Sequence, residues 1–342
     1  MAISSTTNSY LRRVTVFGAS GFVGRHLVRR LAGAGAEVRV AVRDVEASSF
    51  LKPCGDVGQI VPWQVDICDP GQVATAVAGA DTVINLVGIL YERGARTFQR
   101  LHVEGARNIA AAAHQAGAKR LIHMSALGAD KFSPAVYGQT KWLGEEAVRE
   151  AYPDATIFRP SVIFGPEDGF FNMFAGMMRF LPVLPVIGAP MLPKVSFGSG
   201  NGPSIDFFGD GGCKFQPVYV GDVAQAMTDC ITMDETRGQT YELAGPRAYT
   251  FKELMELLLK VTDRKKTLVP LPLGMAAFEA LFLQWLPKPL LTPDQVCLME
   301  RDNVLQGDNG FAAFGIEPAA AEAILPTYLH RFKTPRQQGA AA

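Results

Sequence analysis

The sequence predicts an α/β fold, a doubly wound parallel sheet with a smaller, mostly helical carboxyl-terminal lobe. Three observations carry that prediction. Residues 14–28 (VTVFGASGFVGRHLV) run from an apolar stretch through a glycine turn into an amphipathic segment, the order strand, turn, helix. Strand-like and helix-like segments then alternate to about residue 160, which argues for parallel strands joined by right-handed crossovers. After Gly165 the alternation stops and the chain becomes rich in Phe, Met, Leu and Pro.

In the first motif the glycines are Gly18, Gly21 and Gly24, spaced G-x-x-G-x-x-G. Gly18 lets the chain reverse, Gly21 lets a phosphate approach backbone N–H groups at a helix start, and Gly24 lets helix lie against strand. A ligand-free turn would also use glycine, but the strand before and the helix after favour a Rossmann-type nucleotide site. Ser20, Phe22 and Val23 complete the expected phosphate cradle.

Taken in order, residues 37–42 (EVRVAV) form a second strand that ends in Arg43-Asp44. A carboxylate there would bind the ribose hydroxyls of NAD, and an arginine the 2′-phosphate of NADP. Arg43 is the first polar side chain at the tip, so NADP(H) is favoured. NAD, with Arg43 a solvated loop charge, stays open. Residues 60–65 make a third strand leading to Asp66-Ile67, where the carboxylate either accepts from the adenine amino group or serves a turn. Residues 81–88 (DTVINLVG) read as a buried parallel strand that presents Leu86 and Gly88 to the nucleotide. Residues 98–116 form a helix with an alanine-rich face, 120–125 a fifth strand, 136–150 a helix and 155–161 a sixth strand.

A second chemical site follows. Tyr137-Gly-Gln-Thr-Lys141 places a phenol and an ammonium one helical turn apart on one face. A neighbouring ammonium favours phenolate, which is what an acid/base for hydride transfer to a carbonyl needs. Ser125, at the end of the fifth strand, comes from the place expected of a hydrogen-bond donor to the same oxygen.

These residues together, Gly18 to Gly24, Asp66, Ser125, Tyr137, Lys141 and Arg159-Pro160-Ser161, resemble the short-chain dehydrogenase/reductase superfamily in its extended or atypical branch, over roughly residues 12–245. The resemblance implies that Lys141 holds the nicotinamide ribose, that Tyr137 is the acid/base, and that Pro160 and Ile163 border the nicotinamide ring. His102 stands where that superfamily usually has an asparagine of its proton relay, which puts turnover in question. Residues 50–59, 83–88, 158–168 and 171–175 are further similar to the nucleotide-binding accessory subunits of respiratory complex I and their bacterial relatives. That likeness implies a tightly held NADPH in a mainly structural role and complex I peripheral-arm subunits as partners. It also implies a place on the cytoplasmic face of a bacterial inner membrane, or on the matrix side in a mitochondrion.

Residues 207–224 resemble the substrate-lobe motif of the extended branch, with Lys214 near where a substrate-binding arginine is common. Capping boxes mark two helix starts, Thr250 with Glu253 and Thr292 with Gln295 behind Pro293. The glycine-rich stretch 196–212 reads as a surface loop. Residues 273–286 (LGMAAFEALFLQWL) are apolar nearly all round. At ~1.5 Å per residue they reach ~21 Å, short of a ~30 Å hydrocarbon core, so no transmembrane helix is expected. The segment is either a buried helix or a face that docks on a membrane surface or a partner's groove. The expected domains are 1–12 as a flexible amino terminus, 13–168 with 215–245 returning as the nucleotide-binding domain, 169–214 with 246–333 as the smaller lobe, and 334–342 as a disordered tail.

Composition excludes several classes. Of 342 residues 48% are hydrophobic and 19% charged, with 33 Lys+Arg against 33 Asp+Glu. Balanced charge gives nucleic acid no basic stripe to bind. The five cysteines form no C-x-x-C, so neither a disulfide framework nor a metal site is expected. Residues 1–13 lack the apolar core of a secretory signal. Two functions from different classes fit: a structural, NADP(H)-loaded subunit of complex I, and a free-standing NAD(P)H-dependent reductase or epimerase/dehydratase using Ser125, Tyr137 and Lys141.

Overall fold

Seven parallel strands form the central sheet of a computed structural model that describes residues 11–197 and 203–334. The expected flexible terminus and tail, and the middle of the glycine-rich stretch, lie largely outside those residues. The chain divides into two compact units, the first comprising Met1–Pro160, Val220–Leu243 and Gly307–Glu317.

In that unit β1 (Arg13–Phe17) is apolar because both its faces are covered, and Val14, Val16 and Phe17 are fully buried. Helix α1 (Phe22–Gly33) follows the glycine turn, then β2 (Glu37–Val42), β3 (Ile60–Gln64), α2 (Pro70–Val77) and β4 (Thr82–Asn85). Helix α3 (Gly105–Gln115), β5 (Arg120–Met124), α4 (Val136–Ala151) and β6 (Thr156–Pro160) continue the alternation. The order across the sheet is β13-β6-β5-β4-β1-β2-β3, where β13 is Thr240–Leu243 and returns through helix α6 (Val220–Asp229). The chain therefore leaves β1 in one direction for β2 and β3, and comes back to its other side for β4. That reversal opens a crevice at the carboxyl ends of β1 and β4, the place where open α/β sheets bind ligands.

Two expected elements are shorter than the sequence suggests. The fourth strand ends at Asn85, because Asn85 Oδ1 turns back to accept from the Val87 N–H at 3.0 Å. The helix expected over 98–116 begins as a π-turn, Gln99–Glu104, before α3 proper.

The second unit comprises Ser161–Tyr219, Ala244–Gln306 and Pro318–Ala342. Its short paired strands are β7 (Ile163–Phe164) with β12 (Val218–Tyr219), β9 (Lys194–Phe197) with β10 (Pro203–Asp206), and β11 (Lys214–Phe215) with β14 (Tyr249–Thr250). The stretch expected to be all loop thus starts as an antiparallel hairpin, with Ser196 opposite Ser204. Strands β8 (Val183–Ile187) and β15 (Thr267–Leu271) run parallel, and helices α5 (Phe171–Met177), α7 (Phe251–Thr262), α8 (Leu273–Leu283), α9 (Pro293–Leu298) and α10 (Ala321–Leu329) surround an aromatic core of Phe164, Phe171, Phe174 and Phe251. Both expected capping boxes are present, at α7 and at α9. Asp168 accepts from Phe171 N and from the Tyr328 hydroxyl, both at 2.6 Å, and so ties the start of α5 to α10.

Helix α8 is not a buried helix. Its inward residues are the small Ala276 and Ala280, whereas Phe278, Phe282 and Trp285 just beyond it are 65%, 64% and 84% exposed. No helix among the described residues is long and apolar enough to cross a membrane.

Candidate functional site

The crevice is built first by what is missing from its walls. Gly18 takes φ +76°, and a Cβ there would stand 3.1 Å from Leu86 C and Val87 N. A Cβ on Gly24 would lie 2.3 Å from Ala19 O, so only glycine lets α1 begin this close to β1. Helix α1 starts with Gly21 as its N-cap, no side-chain cap and no acid in its first turn, which leaves that end of the helix to an anion. Ser20, Phe22 and Val23 lie on the same turn. Where β4 exits, a Cβ on Gly88 would have His102 Nε2 and Lys141 Nζ each at 3.9 Å. Those two basic groups therefore face bare backbone next to the crevice.

The polar groups come from the exits of β4 and β5 and from α4. Lys141 is buried and donates from Nζ to Met124 O at 2.8 Å. Burial lowers its pKa to about 8, against the opposing pull of Glu145. Ser125 Oγ is buried and has no hydrogen-bond partner among the described residues. A buried hydroxyl left unmatched by the protein beside a glycine-walled crevice is a group that a polar ligand atom can satisfy. Tyr137 packs edge-on against Phe98 and His102, with ring centroids 5.9 Å and 5.5 Å away. Glycine walls, a bare helix start and an orphaned hydroxyl together fit a dinucleotide.

His102 is held on both nitrogens. Ile89 N–H donates to Nε2 at 3.1 Å, and Nδ1 lies 3.1 Å from Thr140 Oγ1, which itself donates to Val136 O at 2.9 Å. The ring is therefore the neutral tautomer with its proton on Nδ1, and burial followed by the Lys141 charge lowers its pKa to about 3. A second histidine, which the sequence reading did not single out, lies on β5. His123 is fully buried with Nδ1 3.1 Å from Asn85 Nδ2, and burial pushes it well below its ordinary range. Its strand position made it look like core, and only the fold brings it near Lys141.

The remaining sequence candidates divide. Asp66 serves a turn: its carboxylate accepts from Cys68 N at 3.0 Å, while Asp69 caps α2. Ile67 is buried against Gly105 of α3. Asp44 accepts from Ala47 N at 2.9 Å, which leaves Arg43 as the outward group after β2. Leu86 lines Gly18, and Pro160 accepts from Leu127 N at 2.8 Å at the end of β6. Ile163 belongs to the second unit, on β7. Arg159 has a holding role the motif did not disclose. It grips the buried Glu145 of α4 with two bonds, 2.8 Å and 2.7 Å, and reaches Glu242 of β13 at 3.3 Å.

Comparison with known proteins accords with this architecture. Residues 14–244 match the NAD dependent epimerase/dehydratase family. NADH dehydrogenase (ubiquinone) 1 alpha subcomplex subunit 9, mitochondrial, of Arabidopsis thaliana is 36% identical over 301 residues, 86% of this chain and 69% of that one. A ceramide reductase of Caulobacter vibrioides is 38% identical over 178 residues, 51% of this chain and 53% of its own. The crystal structure of a dTDP-glucose 4,6-dehydratase from Streptomyces venezuelae, which holds NAD, superposes with TM-score 0.69 at 18% identity, covering 96% of this chain and 98% of that one. The chain belongs to the NAD dependent epimerase/dehydratase family, an extended short-chain dehydrogenase/reductase fold.

Proposed function

We propose that this family member is an NADP(H)-binding accessory subunit of a respiratory NADH:ubiquinone oxidoreductase, in which the nucleotide is mainly structural. The carrying observation is how far each likeness extends. The relative that names a respiratory subunit matches 86% of the chain, whereas the reductase matches 51%. A likeness reaching across both units is what a shared assembly role would preserve. In this reading Gly18, Gly21 and Gly24 seat the pyrophosphate, Arg43 the 2′-phosphate and Lys141 the nicotinamide ribose. Asp44, spent on a turn, supports NADP over NAD. The neutral, doubly held His102 offers no proton to a relay, which supports a resident cofactor. The outward aromatic residues of α8 supply a face for the assembly or the membrane beside it.

A second reading, an NAD(P)H-dependent reductase, is supported by one observation, the buried Ser125 Oγ that has no hydrogen-bond partner among the described residues. There Ser125 would hold a carbonyl oxygen and Tyr137 would give it a proton. Native electrophoresis of gently solubilised membranes separates the two. Co-migration with NADH:ubiquinone oxidoreductase activity, retained in a Tyr137→Phe variant with its nucleotide, is the expected result. A free band, or loss of respiratory activity in Tyr137→Phe with nucleotide still bound, would sink the structural reading.

A further inference from the structure

The crevice leaves one group of cations unexplained, on the segment between β4 and the π-turn. Residues 91–96 read Tyr-Glu-Arg-Gly-Ala-Arg, and Arg93 and Arg96 exchange two backbone hydrogen bonds of 3.0 Å, so the segment is a tight hairpin. Strand β4 lies on the far side of β1 from β2, yet the hairpin does not stay over β4. Arg100 Nη1 donates to Ala95 O at 3.0 Å, and Arg100 O in turn accepts from Cys68 Sγ at 3.7 Å, just beyond the exit of β3. Glu92 closes the loop by accepting from Phe98 N at 2.6 Å. The hairpin is thus strapped toward β3, and β3 pairs with β2 up to Val42 opposite Gln64. Arg43 is the next residue.

We infer that Arg96 and Arg43 together form a two-guanidinium seat for a phosphate monoester, making Arg96 a second determinant of selectivity for the 2′-phosphate. The inference rests on the NADP(H) reading and adds to it a residue from a different loop. After burial, the Arg43 charge is the chief influence lowering the pKa of Arg96, and no carboxylate is among the groups acting on it. Among the described residues neither guanidinium has an ion-pair partner. Two like charges converging without an acid are unfavourable in the free protein, and a dianion between them relieves the repulsion. Guanidinium groups also match phosphate oxygens with paired donors.

The test uses the purified full chain and two mononucleotide probes, 2′,5′-ADP and 5′-AMP, titrated by calorimetry. The wild type should bind 2′,5′-ADP at least ~100-fold more tightly than 5′-AMP, since charge-assisted bonds carry that order of effect. Arg96→Ala should cut this preference about tenfold and leave 5′-AMP binding unchanged. The preference should also grow as pH rises through about 6, where a phosphate monoester loses its second proton, and that rise should flatten in Arg96→Ala. Full preference in Arg96→Ala, alongside its loss in Arg43→Ala, overturns the role of Arg96 and leaves the NADP(H) reading standing. A wild type that does not distinguish the two probes overturns both.

Discussion

The two units bury opposite things. The first sequesters ionisable groups: Lys141, Arg120 and Glu145 as charges, and His102 and His123 as neutral rings, are all buried. The second turns large apolar side chains outward, with Phe278, Phe282 and Trp285 exposed over a helix whose inner face is alanine. Each arrangement is costly in isolation, because desolvated charge needs partners and exposed aromatic surface needs cover. The first unit meets part of its need internally, where Arg159 and Arg149 close on Glu145, and in the reading proposed above a ligand meets the rest around Lys141 and Ser125. The second, in the same reading, meets its need from outside. The pattern separates a part with ionisable groups in its interior from a part with aromatic side chains on its surface.

The largest test of that contrast is Glu145→Gln. It leaves two arginines against a neutral amide in the interior and should cost the first unit about 3 kcal/mol. Thermal unfolding should show it as a melting point lower by roughly 6–12 °C. A loss below ~1 kcal/mol would mean the carboxylate is not what anchors α4. Acid should then part the units. Native His102 resists protonation down to about 3 while the unfolded chain protonates near 6.5, so the first unit loses stability as pH falls through that window, by up to ~1.4 kcal/mol per pH unit. In the second unit burial raises the pKa of Asp168, so that residue's contribution runs the other way, full at low pH and lost as pH rises. Hydrogen exchange during acid titration should therefore open the first unit before the second, and simultaneous opening would contradict it.

A smaller effect concerns the nucleotide. Lys141 in the free protein gives up its proton near pH 8, and an anionic dinucleotide holds that proton, so affinity should fall severalfold above pH 8. Lys141→Met should weaken binding and abolish the pH dependence, and a pH-dependent Lys141→Met would place the nucleotide elsewhere. Least visible in stability is the triple change Phe278→Ser, Phe282→Ser, Trp285→Ser. Melting should shift by no more than about 1 kcal/mol in sum, as for surface positions, while co-migration with the respiratory enzyme disappears. A large loss of stability would return those side chains to the core.

The sheet was legible because parallel strands buried on both faces are written as apolar runs, and because glycine at 18, 21 and 24 has few other uses. That Tyr137 and Lys141 share one helix was legible from their spacing. His123 and Arg96 were not. A histidine in an apolar strand reads as core until the strand order brings it beside Lys141, and a loop arginine means nothing until Arg100 and Cys68 strap its hairpin across the strand ends. The orientation of α8 was equally hidden. A helix apolar all round gives periodicity nothing to work with, and only the placement of Ala276 and Ala280 inside declares which side is left bare. The return of Gly307–Glu317 to the first unit carried no sequence signal.

That return bears on how the protein is made. Phe314 packs against Tyr241 and Phe158 at 5.0 Å and 5.7 Å between ring centroids, and a Cβ on Gly310 would meet the Glu242 carbonyl at 2.9 Å. The outermost strand of the sheet is thus finished by residues that follow most of the second unit along the chain. The first unit therefore closes only when Gly307–Glu317 has been made, after most of the second unit, so a nascent chain cut before that segment leaves the sheet edge unfinished.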